Sequence, residues 1–213
     1  MDGFDGVRRT TIQQYGAISR TREMTIDQLL LENRIIFLGE PIVPIVAKKI
    51  IEELLYLQSN KRDQEVSMYI NSPGGYVIET LAIYDTMQSM GCPIATYCLG
   101  QAASGGAMLL MAGTKGRRFI LPNAKVMLHQ PTGGIGGQAE DIRIQATEIL
   151  RDKKRLNGII ARHTGRTVDQ VASETERDRY LSAEEALAYG VVDEILTPEK
   201  SEQMEKKKKR PVV

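Results

Sequence analysis

The sequence predicts an α/β fold with a largely parallel sheet. Two observations carry that reading. Short apolar runs alternate with amphipathic stretches of helical period along most of the chain. The connections between them are short and punctuated by glycine and proline. At 213 residues the chain is long enough for one such domain with a sizeable core.

The elements follow in order. Residues 1–25 are polar, carry four arginines and lack an apolar signal core, which reads as a mobile loop or a short propeptide. Met24 to Asn33 reads as a short helix, with Ile26, Leu29 and Leu30 inside and Asp27 and Glu32 outside. Arg34 to Leu38 reads as a buried strand stopped by Gly39. From Pro44 to Leu57, Val46, Ala47, Ile50, Ile51, Leu54 and Leu55 recur at helical spacing, opposite Lys48, Lys49, Glu52 and Glu53. Glu65 to Ile70 is the next strand, stopped by Asn71-Ser-Pro-Gly-Gly75, and a helix from Val77 to Met90 is broken at Gly91-Cys-Pro93.

Ile94 to Leu99 reads as a strand running into the turn Gly100 to Ala107, with a small-residue helix over Ser104 to Ala112. Arg117 to Leu121 and Lys125 to Leu128 read as short strands separated by Pro122-Asn123. Gln138 to His163 is the longest helical pattern, with Ile142, Ala146, Ile149, Leu156, Ile159 and Ile160 as its apolar face and Gly165 as its stop. Thr167 and Ser182 read as N-caps, and Ser182-Ala-Glu-Glu185 matches a capping box. Gly190 closes the helix after Ser182, and Val191 to Leu196 is a last strand. Beyond Pro198 the chain is charged, including Lys206 to Lys209, which reads as a solvated tail.

Composition narrows the function. A net charge of +1 argues against steering toward nucleic acid or an anionic membrane. No apolar run reaches the ~18 residues of a membrane span. Cys92 and Cys98 lie in or beside apolar runs, which favours buried thiols over a disulfide and fits a reducing compartment. Two cysteines and two histidines in these contexts do not offer a zinc site, so no metal is expected.

Four features bear on chemistry. Ser104 sits among small residues at a strand-to-helix turn, where a nucleophile is placed, although Ala102 stands where a nucleophile elbow has glycine; a tight packed turn is the competing reading. Asn71-Ser-Pro-Gly74-Gly75 and Ser104-Gly105-Gly106 are two glycine turns, each after a strand. Each could lend a backbone N–H to a shared oxyanion hole. Of the two histidines, His163 is explained by the helix dipole at a C-terminus, whereas His129 follows a strand and precedes an irregular loop. Asp85, Asp141, Asp178 and Asp193 all qualify by type as the acid partner, and spacing does not choose among them. Gly134-Ile-Gly136-Gly-Gln-Ala139 fits G-x-G-x-x-A but lacks the preceding strand and the later acidic residue of a dinucleotide site; it reads as a flexible lead into the long helix.

Tyr69-Ile-Asn-Ser-Pro-Gly-Gly75, Ile83-Tyr-Asp-Thr-Met-Gln88, Gly100-Gln-Ala-Ala-Ser104, Met127-Leu-His-Gln-Pro131 and Glu176-Arg-Asp-Arg-Tyr-Leu-Ser182 together resemble the ClpP family, the proteolytic subunits of ATP-dependent Clp proteases. The resemblance runs from about Ile26 to Thr197 in order and spacing. It implies a ClpP/crotonase-type fold with a protruding handle made of the long helix and a short strand near 133–137. It implies three regions: an axial loop or propeptide over 1–25, a serine protease domain over 26–197 and a disordered tail over 198–213.

The resemblance assigns a nucleophile to Ser104, a general base to His129 and an acid to Asp178. It puts oxyanion amides at Gly75 and Gly105, and ring-to-ring contacts at Asp141 and Arg177. The residue after the serine is usually methionine in the family. Gly105 keeps the N–H but implies a looser turn. The implied activity is hydrolysis of unfolded polypeptides inside two stacked heptameric rings, of this chain alone or mixed with paralogues. The partner is a Clp-type AAA+ unfoldase that itself uses the ATP, so this chain needs no cofactor. The implied location is the cytoplasm or an organelle of bacterial descent. Two competing readings are a crotonase-type acyl-CoA enzyme, which shares the fold and paired amides, and a non-catalytic ring subunit.

Overall fold

The computed structural model describes residues 9–15, 18–132, 134 and 136–200. The expected tail over 198–213 lies almost wholly outside them. The handle's expected short strand near 133–137 includes residues 133 and 135, which are also outside.

Strands β1 (Arg9–Tyr15) and β2 (Ile18–Met24) pair antiparallel, with Arg9 opposite Met24 and Tyr15 opposite Ile18. Within the stretch expected as a mobile loop or short propeptide, β-favouring residue types face each other, Ile12 opposite Thr21 and Tyr15 opposite Ile18. Helix α1 (Ile26–Glu32) starts at a capping box, in which the Thr25 hydroxyl accepts from the Gln28 N–H and the Gln28 side chain accepts from the Thr25 N–H.

Strand and helix then alternate as expected: β3 (Ile35–Leu38), α2 (Pro44–Asn60), β4 (Val66–Ser72), α3 (Val77–Ser89), β5 (Ile94–Ala103), α4 (Gly105–Met111), β6 (Arg118–Ile120) and β7 (Lys125–Leu128). The chain continues through α5 (Ala139–Thr164), α6 (Val168–Glu174), β8 (Arg179–Leu181), α7 (Ala183–Tyr189) and β9 (Glu194–Ile195). The main sheet runs β3-β4-β5-β6-β9, all parallel. Strand β7 pairs parallel with the far end of β5, and β8 pairs antiparallel with β7.

Among the differences from expectation, three have a clear physical reason. Strand β5 runs four residues past Leu99, because Gly100 takes a positive φ of 65° and Asn71 Oδ1 accepts the Gln101 N–H at 3.3 Å across the resulting irregularity. Strand β8 has no apolar run to announce it; its three residues are strand only because β7 lies beside them. The last strand shrinks to Glu194–Ile195, since the Val191 N–H is taken by the Ala186 carbonyl at the end of α7.

The core gathers the inner faces of α2 and α3, the whole of α4 and the sheet. On α2, Val46, Ala47, Ile50 and Leu54 are buried as the periodicity requires, but Leu55 is exposed. On α5, burial is confined to Leu156, Asn157, Ile159, Ile160 and Ala161 near its C-terminal end. Ile142 and Leu150, on or near the expected apolar face, are exposed. The N-terminal half of α5 therefore leaves the core, as a handle does.

Candidate active site

The strand registers assemble the site. In the β5–β7 pair, Ala103 lies opposite Met127; in the β7–β8 pair, Leu128 lies opposite Arg179. Ser104 is the first residue beyond β5, His129 the first beyond β7, and Asp178 the last before β8. Three residues distant in sequence thus leave three adjacent strand ends together. The Ser104 N–H donates to the Met127 carbonyl at 2.9 Å, which fastens the serine backbone to the strand that delivers the histidine. His129 Nε2 lies 2.9 Å from Ser104 Oγ, and Asp178 Oδ1 lies 3.3 Å from His129 Nδ1.

Ser104 itself is strained. Its φ of 51° with ψ of −118° is a conformation that L-residues avoid, costing on the order of 1–3 kcal/mol. A strained serine between a strand and a helix is the arrangement of a nucleophile elbow. Ala102, the departure from the elbow pattern, is fully buried in β5 between partners Ser72 and Val126 without preventing the turn. Sharp reversal keeps Oγ at the edge of the core while α4 behind it is wholly buried.

The two glycine turns meet at this point. Gly74 has a φ of 89°, and a Cβ there would stand 2.6 Å from the Ala103 carbonyl oxygen and 2.8 Å from the Gly105 nitrogen, so only glycine fits. Peptide geometry then aims two donors. The Gly74 carbonyl accepts the Ile42 N–H at 2.8 Å, so the Gly75 N–H of the same trans peptide points the other way. Likewise the Ser104 carbonyl accepts from Met108 at 3.1 Å inside α4, which leaves the Gly105 N–H pointing out of the helix N-terminus. Gly75, Ser104, Gly105 and His129 line one small cavity, whose remaining wall is largely apolar and includes Met108 and Leu156.

The other candidates fall elsewhere. Asp85 is exposed on α3, Asp141 is exposed in the first turn of α5, and Asp193 pairs with Arg118 at 2.6 Å. Arg177 is exposed beside Asp178. His163 is not held by the helix dipole, which favours a cation at a C-terminus. Burial, with Arg118 and Arg162 nearby, pushes its pKa down to about 4, so it is neutral. What holds it is a 2.9 Å hydrogen bond shared with the Tyr84 hydroxyl and edge-on packing against that ring. Beyond His129, the Gln130 amide donates to Asn157 Oδ1 at 3.2 Å and to Thr175 Oγ1, tying the histidine's loop to α5 and to the end of α6. Gln130 lies inside the Met127–Pro131 motif, but no sequence signal gave it a role or pointed to Asn157 and Thr175.

The Clp protease family model matches residues 18–199. The chain belongs to the Clp protease family. It is 52% identical over 189 residues to the ATP-dependent Clp protease proteolytic subunit 1 of Rhodopirellula baltica, a stretch covering 89% of this chain and 83% of that protein. As a Clp protease it is a serine-type peptidase, and nothing in these matches points to an acyl-CoA enzyme. Among the described residues of this Clp protease, no helix is long and apolar enough to cross a membrane, and no group of three or more His, Cys, Asp or Glu could hold a metal ion. Cys92 and Cys98 are buried free thiols, and burial pushes the Cys98 thiol up to about 12.

Proposed function

We propose that Ser104, His129 and Asp178 form the catalytic triad of this peptidase, with the Gly75 and Gly105 amides as its oxyanion hole. The observation that carries the reading is the pair of contacts on the His129 ring, Ser104 Oγ at Nε2 and Asp178 Oδ1 at Nδ1. An ionised carboxylate only accepts, so it favours the proton on Nδ1 and leaves Nε2 free as a base. His129 takes the Ser104 proton as Oγ bonds to the peptide carbonyl carbon, and the two amides stabilise the resulting oxyanion. Collapse breaks the C–N bond, and His129 returns the proton to the leaving amine. Water, deprotonated by His129, then attacks the acyl ester; Ser104 Oγ leaves and takes the proton back.

The substrates are unfolded polypeptides, cut to short peptides. The working assembly is two stacked heptameric rings, of this chain alone or with paralogues, and Asp141 and Arg177 lie at the contact between them. The exposed N-terminal half of α5 supports that reading, since Leu150 there is 65% exposed in the single chain. A Clp-type AAA+ unfoldase supplies ATP-driven unfolding at the face that carries β1 and β2, and the setting is the cytoplasm or an organelle of bacterial descent. Residues 1–25, 26–197 and 198–213 serve as axial segment, protease domain and tail.

The test uses a fluorogenic peptide and a fluorophosphonate probe on the purified chain and its Ser104→Ala variant, with assembly mass measured on both. The expected result is labelling and hydrolysis by the parent and loss of both in the variant, at unchanged mass. Hydrolysis surviving in Ser104→Ala overturns the triad, and an assembled but inert parent makes the chain a non-catalytic ring subunit.

A further inference from the structure

Gly105 is a glycine for want of space and not for its backbone. Its φ is not among the positive ones, so its conformation is open to any L-residue. A Cβ there would overlap Thr80 Oγ1 and stand 3.1 Å from Thr80 Cγ2 and 3.2 Å from Ile42 Cδ1. The volume that a side chain at 105 would fill is already held by Thr80. The looser turn expected from glycine is therefore packed from outside.

Thr80 reaches both glycine turns at once. It is 1% exposed, in the second turn of α3. Its hydroxyl donates to the Tyr76 carbonyl at 2.9 Å, which fixes its rotamer and ties it to the residue after Gly75. That residue is itself held by its own N–H on the Ile42 carbonyl, at 2.9 Å. On the other side Thr80 packs against Gly105. Thr80 also lines the cavity that holds Ser104 and His129.

We infer that Thr80 is a positioning residue that clamps the Gly75 and Gly105 turns together, setting the separation of their two N–H groups, and that it requires glycine at 105. The inference rests on the reading of those amides as the oxyanion hole. The effect of Thr80 runs through the two turns. Amides held at the right separation stabilise charge that develops only in the transition state, so loss of the clamp falls on kcat and spares KM.

The experiment measures kcat and KM on a fluorogenic peptide, with assembly mass and thermal midpoint, for Thr80→Ser, Thr80→Ala, Gly105→Ala and the double variant Thr80→Gly/Gly105→Ala. Thr80→Ser keeps the hydroxyl and its bond, and is expected within about 3-fold of the parent. Thr80→Ala is expected to lose about tenfold in kcat with KM little changed. Gly105→Ala is expected to lose about 100-fold, as removal of one oxyanion donor does. The double variant, with room for the added methyl, is expected to recover at least tenfold over Gly105→Ala.

A Gly105→Ala variant as active as the parent overturns the inference. So does a double variant no better than Gly105→Ala when both assemble. If Gly105→Ala fails to assemble, Thr80→Ala against Thr80→Ser decides, and equal kcat in those two overturns the clamp. Ser104→Ala in the same series separates the two failures. Hydrolysis that survives it removes the underlying triad, whereas hydrolysis that vanishes while the double variant shows no rescue removes only the role of Thr80.

Discussion

At Asp178 the geometry sets the size of the effect. Its carboxylate is 59% exposed and stands 3.3 Å from His129 Nδ1. Solvent screens such a contact more than it would screen a buried acid. Asp178→Asn is therefore expected to lower kcat by about 100-fold, less than the ~10⁴-fold of a triad whose acid is buried. Steady-state kinetics on a short peptide checks this, and a loss of ~10⁴-fold would overturn the argument from exposure. The residue scale is also where sequence reading was strongest and weakest. Ser104, His129 and both glycine turns stood out by residue type at strand ends. Asp178 did not, because four aspartates have the same chemistry and only the β7–β8 register sets one beside His129. Thr80 was one more position on a helix, with no local sign that it meets Gly105.

Among the elements, the strand ends are held by an ion pair between buried Arg118 and half-buried Asp193. The Arg118 guanidinium, on β6, donates to both carboxylate oxygens of Asp193, at 2.9 and 2.6 Å, and to the His163 carbonyl at 3.1 Å. It thereby links β6, the approach to β9 and the end of α5. Burial alone would raise the Asp193 carboxyl, but hydrogen bonds and charge from Arg118 hold it below the usual range. Asp193→Ala leaves Arg118 buried without its counter-charge, and is expected to cost about 3 kcal/mol or more of stability. Urea unfolding followed by circular dichroism measures it, and a change under ~0.5 kcal/mol, the size of an ordinary surface substitution, sinks the account. Helix limits were legible because caps are local: the Thr167 and Ser182 boxes both form, with hydroxyls accepting from Gln170 and Glu185. Strand limits were less so, since β5 and β8 depend on partners far along the chain.

For the whole molecule, acid should act through His163. Its folded pKa of about 4 lies below the ordinary 6.5. The unfolded chain therefore binds the proton first, and stability falls as pH drops from 6.5 toward 4. The carboxyl of Asp193, held low, adds a further loss at more acid pH. His163→Gln cannot titrate, so its thermal midpoint is expected to change less over that window than the parent's. Parallel slopes in the two proteins would remove His163 from the explanation.

The sequence by itself determined the α/β alternation, the helix caps, the glycine turns and a serine and a histidine at strand ends. These follow from periodicity and local chain stereochemistry, which act over a few residues. The tertiary structure decided which aspartate reaches His129, that β8 exists at all, that α5 leaves the core for half its length, and that Thr80 stands where a side chain at 105 would go. Each of these is a meeting of residues far apart in the chain, and pairing register and packed volume, which arbitrate such meetings, are properties of the folded whole.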